Sequence, residues 1–135
     1  MHYLSVLIIG LSLSFSISSY SQSFSDQRVG GTVDIAKELR ETYHDQGVLF
    51  ISLRTYGKTS GPPLAVVRVE RPKYPQAFVV GPQNAMIPGT VLNGPFQISA
   101  RHSLKGDALD RGEDVLEATL KEKVSLGQRN ILLKF

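Results

Sequence analysis

Val48-Leu49-Phe50-Ile51-Ser52-Leu53-Arg54, then Gly57-Lys58-Thr59-Ser60-Gly61, Pro62-Pro63 and Leu64-Ala65-Val66-Val67-Arg68-Val69-Glu70, is the stretch that decides the fold class. The first run is apolar almost throughout, as expected for a strand at the centre of a sandwich. The glycine-bounded segment is a hairpin tip, and Pro62-Pro63 breaks the chain after it. The second run is the antiparallel partner of the first. Strands separated by glycine and proline at short intervals continue on both sides, which predicts an all-β sandwich or barrel.

Upstream, Gly31-Thr32-Val33-Asp34-Ile35 alternates as an opening strand. Ile35, Leu39 and Tyr43 then recur at four-residue steps, predicting one short helix over 36–44 that stops before Gly47. Downstream, Arg71-Pro72 and Tyr74-Pro75 form a corner, because proline cannot donate to a ladder. Ala77-Phe78-Val79-Val80 is a further strand, closed by Gly81-Pro82. In 96–103, Phe96, Ile98 and Ala100 face the core, while Gln97, Ser99, Arg101 and Ser103 face water. His102 has the inward parity but sits at the strand end, within reach of solvent. Residues 113–126 fit a helix face and a strand pattern alike. A strand pair is preferred, with Gly127-Gln128 as its hairpin turn and Asn130-Ile131-Leu132-Leu133-Lys134-Phe135 as the last strand.

The chain has 135 residues and a net charge of +3, enough for one domain and too apolar for a disordered chain. The absence of cysteine excludes a disulfide scaffold, a thiolate metal or iron–sulfur site, covalent haem attachment and a lipidated cysteine. Residues 3–17 are uncharged and apolar, diluted by serine, and fall short of the roughly 20 residues of a spanning helix. They fit a secretory leader with a small-x-small cleavage site at Ser19-Tyr20-Ser21. The expected organisation is a signal peptide over 1–21, a disordered lead-in over 22–29 and the β-sandwich over 30–135. The expected location is the periplasm, with an uncleaved membrane anchor as the alternative.

Between Gln46 and Gly106 the basic residues are Arg54, Lys58, Arg68, Arg71, Lys73, Arg101 and Lys105, against the single acid Glu70. Such a surface attracts anionic lipid, haem propionates or an acidic partner, or is simply a set of solvated strand faces. No lysine/arginine run is dense enough for nucleic acid, whereas peripheral membrane association stays open.

The residues carry no catalytic, cofactor or metal assignment, and the chain is not expected to be an enzyme. His44 and His102 each lack a second ligand at metal-binding spacing. Asp107, Asp110, Glu113 and Asp114 lie in a glycine-containing loop but miss calcium-loop spacing. Gly57-Lys58-Thr59 and Ser60-Gly61 imitate phosphate-loop and nucleophile fragments without their context. Two stretches stand out: Gly61 to Arg68, with two prolines at a strand entrance, and Asn84-Ala85-Met86-Ile87-Pro88-Gly89, whose Pro-Gly signals a type II turn. Met86 there either covers an open end of the core or offers an adaptable contact to a partner.

A set of short motifs runs in order through residues 30–114. They are Gly31-Thr32-Val33, Leu49-Phe50-Ile51-Ser52-Leu53-Arg54, Pro63-Leu64-Ala65-Val66-Val67-Arg68 and Pro75-Gln76-Ala77-Phe78. Ala85-Met86-Ile87-Pro88-Gly89, Ala100-Arg101-His102-Ser103 and Gly106-Asp107-Ala108 complete it. In this order the chain resembles the C-terminal Ig-like domain of cytochrome c-type biogenesis proteins, the apocytochrome c chaperones. The resemblance implies an Ig-like antiparallel β-sandwich with one short helix near its N-terminus. It also implies a non-catalytic role beside cytochrome c maturation, with apocytochrome c or the maturation machinery as protein partner.

The helical-repeat region that holds apocytochrome c in that family is not matched in this sequence, which points to a free-standing accessory version of the domain. On this reading Arg68, Met86, Pro88 and Arg101 are the partner-contact candidates. The loop supplies adaptable apolar surface, and the arginines supply forks for carboxylates. A structural strand-end role for the arginines is the alternative. A general envelope, adhesion or scaffold sandwich is the competing function.

Overall fold

A computed structural model describes residues 26–135, so the expected leader and residues 22–25 of the lead-in lie outside the described residues. Among the described residues, seven strands form two sheets. β1 (Val29–Asp34), β4 (Gln76–Val80) and β7 (Ile131–Lys134) make a three-stranded sheet in the order β4-β1-β7. β2 (Val48–Thr55), β3 (Ala65–Glu70), β5 (Phe96–Ser103) and β6 (Val115–Thr119) make a four-stranded sheet in the order β3-β2-β5-β6. Between β1 and β2 a single 3₁₀ turn, Lys37–Leu39, runs into the short helix α1 (Arg40–Tyr43), as the four-residue steps predict. β1 takes in Val29, which the sequence reading assigned to the lead-in; its side chain is fully buried.

Strand alternation builds the core. Val29 and Val33 of β1, Phe78 and Val80 of β4, and Ile131 and Leu133 of β7 point inward from one sheet. Leu49, Ile51 and Leu53 of β2 meet them from the other, with Phe96, Ile98 and Ala100 of β5. These two apolar faces hold the sandwich together. Gly31 allows the closest approach in the first sheet: a Cβ there would lie 2.1 Å from the Ile131 carbonyl oxygen.

The end of the chain departs from the sequence reading. Residues 115–119 are a strand, as preferred, and pair with β5. β7, however, does not form a hairpin with β6; it crosses to the other sheet and pairs parallel with β1, in an otherwise antiparallel fold. The cause is the link between them. Val124 is buried and exchanges backbone hydrogen bonds of 2.8 and 2.9 Å with Phe96, pinning the link to the far end of β5. The Gly127-Gln128 turn then bonds to the entrance of β1, through Gly127 N to Arg28 O and Gly30 N to Gln128 O. Nearby, the Asp26 carboxylate takes hydrogen bonds from Arg129 and Arg28, which hold its pKa down to about 2.

Two further residues differ from expectation. His102 does not reach solvent and Ser103 does not face water; both are fully buried. Nε2–H of His102 donates to the Gln46 carbonyl oxygen at 2.7 Å, and Nδ1 accepts from the Tyr74 hydroxyl. The Tyr43 ring packs edge-on against the imidazole at 5.1 Å. With both ring nitrogens paired, a buried polar side chain is tolerated. Burial lowers the His102 pKa below its ordinary 6.5, and the Gln46 bond opposes this only in part. Ser103 Oγ receives the Asp107 amide at 3.2 Å, so it anchors the β5–β6 loop.

Candidate functional site

The outward face of the four-stranded sheet is set by pairing register. Arg68, Phe50, Arg101 and Glu117 stand side by side across β3, β2, β5 and β6. Two residues along each strand, Val66, Ser52, Ser99 and Thr119 form a second row. The first row is tall and charged around an aromatic ring, whereas the second is short. That difference in height leaves a trough, with Arg54 beyond the short row.

Two loops raise the sides. Gly61, Pro62 and Pro63, with Met86, stand beside β3, and Ala108, Leu109 and Arg111 come from the β5–β6 loop. Together they enclose a groove of about 770 Å³, within the roughly 300–1,000 Å³ of ordinary ligand sites. Met86 reaches it because its amide bonds to Leu64 O at 2.9 Å and Ala85 bridges to Ala65. Gly89, with φ +82°, and the Thr90 amide bond to Ile87 O at 3.2 Å close the expected turn just beyond. Met86 is 54% exposed. It lies on the groove wall, not over an open end of the core.

Each arginine is held differently. Arg68 pairs with the exposed Glu70 and lies 6.0 Å from the centre of the Phe50 ring, a cation–π distance. Arg101 joins the Glu117 carboxylate to the Asp110 carbonyl oxygen, tying β6 and the β5–β6 loop to β5. Arg54 donates to the Gly61 carbonyl oxygen, steadying the loop that carries Pro62 and Pro63. Arg111 makes no ion pair among the described residues. Four arginines therefore face one glutamate around the groove.

The acidic loop is engaged in its own turns. Asp107 Oδ1 accepts the Leu109 amide and Asp110 Oδ1 the Gly112 amide, each at 2.9 Å. Among the described residues, no group of three or more histidines, cysteines or acids is placed to hold a metal ion.

Of the sequence candidates, Arg68, Met86 and Arg101 come together in this groove, and Pro88 lies outside its lining. Phe50, Arg54, Leu109 and Arg111 were missed. The alternation Leu49, Ile51, Leu53 against Phe50, Ser52, Arg54 was the available signal for the first two. It sets Phe50 on the outward side, where flanking arginines leave it only 8% exposed.

Comparison with known proteins agrees with the motif order. Residues 29–132 match the family model described as the cytochrome c-type biogenesis protein H Ig-like domain. No curated protein and no solved structure matches the chain. The match spans both sheets, from the first residue of β1 into β7, and includes every residue of the groove. This chain belongs to the family of cytochrome c-type biogenesis protein H Ig-like domains.

Proposed function

We propose that the chain is an exported, non-catalytic binding module that assists cytochrome c maturation, and that it meets a protein partner through the groove on its four-stranded sheet. The family match over residues 29–132 carries this reading. Two further observations support it. The uncharged apolar run at residues 3–17, with Ser19-Tyr20-Ser21 after it, has the composition of an export leader. The groove offers arginine forks and adaptable apolar side chains, which suit protein recognition.

The test is to delete the gene in its native host and to capture the tagged protein from the cell envelope. Reduced haem staining of c-type cytochromes and enrichment of maturation components are expected. Unchanged staining with no such component captured would remove the maturation role and favour a general envelope scaffold.

A further inference from the structure

The chemistry around the groove selects among occupants. We infer that it takes an acidic polypeptide segment, with carboxylates against Arg54, Arg68 and Arg111 and an apolar side chain in the low row beside Phe50. This deepens the binding reading above and rests on it only for which protein carries the segment.

Charge complementarity carries the argument. The one acid in the lining, Glu117, is already committed to Arg101. Arg68 spends part of its fork on Glu70, whose side chain is 68% exposed, and a pair so open to water exchanges readily for a partner's carboxylate. Arg54 is anchored only to a backbone carbonyl, and Arg111 makes no ion pair among the described residues. Guanidinium forks bind carboxylates in two-pronged geometry, so unspent forks favour an acidic occupant.

Shape points to a polypeptide. The unspent arginines are spread around the groove, Arg68 on β3, Arg111 on the β5–β6 loop and Arg54 beyond the low row, an arrangement that suits several carboxylates carried on one chain. The low row presents the hydroxyls of Ser52, Ser99 and Thr119 beside Val66, so it suits an apolar side chain followed by backbone amides. Met86 and Leu109, the latter 83% exposed, offer apolar cover from opposite loops. The site is also concave. A flat bilayer needs a projecting apolar surface, whereas the Phe50 ring lies within the groove and is only 8% exposed.

The inference is tested by fluorescence anisotropy on the full chain. The probes are a short labelled peptide of alternating glutamate and leucine and its glutamine counterpart, with phosphatidylglycerol vesicles as competitor. The glutamate peptide is expected to bind at least about tenfold more tightly than the glutamine peptide, a difference of about 1.4 kcal/mol. Arg111→Glu should weaken it by a similar factor, added salt should weaken it further, and vesicles should not displace it. Arg111 is on an exposed loop, so this variant keeps the fold; Arg54→Glu is the second variant, with folding checked by circular dichroism. Equal binding of both peptides, binding of neither, indifference to Arg111→Glu, or displacement by vesicles would overturn the inference. Failure here with reduced haem staining in the deletion strain removes only the acidic occupant. Peptide binding with normal staining removes only the maturation role.

Discussion

The Tyr74 hydroxyl donates to Nδ1 of His102, and both side chains are sealed from solvent between the helix, the proline corner and β5. Because Nε2–H already donates to Gln46, this bond requires the neutral imidazole. A proton on Nδ1 would set two donors against each other until the tyrosine hydroxyl turned. The same burial raises the Tyr74 pKa far above its usual range, so the phenol remains a donor.

Acid sensitivity follows from the sign of the His102 shift. Its folded pKa lies below 6.5, so near and below that value the unfolded chain binds a proton that the folded chain refuses. The stability from this group is complete above pH 6.5 and declines as pH falls from there through the lowered folded value. Urea midpoints measured from pH 8 to pH 5 should fall across this window, and His102→Phe should flatten the fall while lowering stability throughout.

Tyr74→Phe keeps the ring and removes the donor. It leaves a buried acceptor on His102 unpaired, at a cost of about 1–3 kcal/mol by urea denaturation. The two substitutions should be strongly non-additive, since His102→Phe in the Tyr74→Phe background removes an acceptor that has already lost its partner.

Gly31→Ala forces a methyl group into the Ile131 backbone, which cannot swing aside as a side chain can. A loss of at least about 1–3 kcal/mol is expected, the usual range for overpacking. Amide exchange should accelerate first in β7, whose parallel ladder with β1 must open to admit the methyl.

Arg101→Ala and Met86→Ala separate scaffold from contact. Losing Arg101 frees the Asp110 carbonyl and the Glu117 carboxylate, so the amides of Leu109 and Gly112 should exchange faster, with a stability loss of about 1 kcal/mol. Met86 is more than half exposed, so its truncation should leave stability within about 0.5 kcal/mol while weakening partner capture. A large fall in melting temperature for Met86→Ala with unchanged capture would make it a packing residue.

The strands were legible because each carries its own alternation. Leu49-Ile51-Leu53 and Phe96-Ile98-Ala100 name their inward faces without any knowledge of the partner sheet. The destination of β7 was not legible: it depends on Val124 reaching Phe96 across a long link, and the local pattern of 131–134 suits either sheet. The burial of His102 likewise required Tyr74 to arrive from the corner. For the site, Arg68, Met86 and Arg101 stood out through ordered motifs. The row that sets Phe50 between two arginines exists only once three strands lock in register.

The parallel pairing of β1 with β7 has a mechanical consequence. The start of β1 and the end of β7 lie at opposite ends of one ladder, so tension between residues 29 and 134 pulls along the strands in opposite directions. The ladder is then loaded in shear: its hydrogen bonds share the stretch together and do not unzip one at a time. A domain tethered at one end and tugged at the other would yield late and abruptly, at a force governed by its unfolding rate.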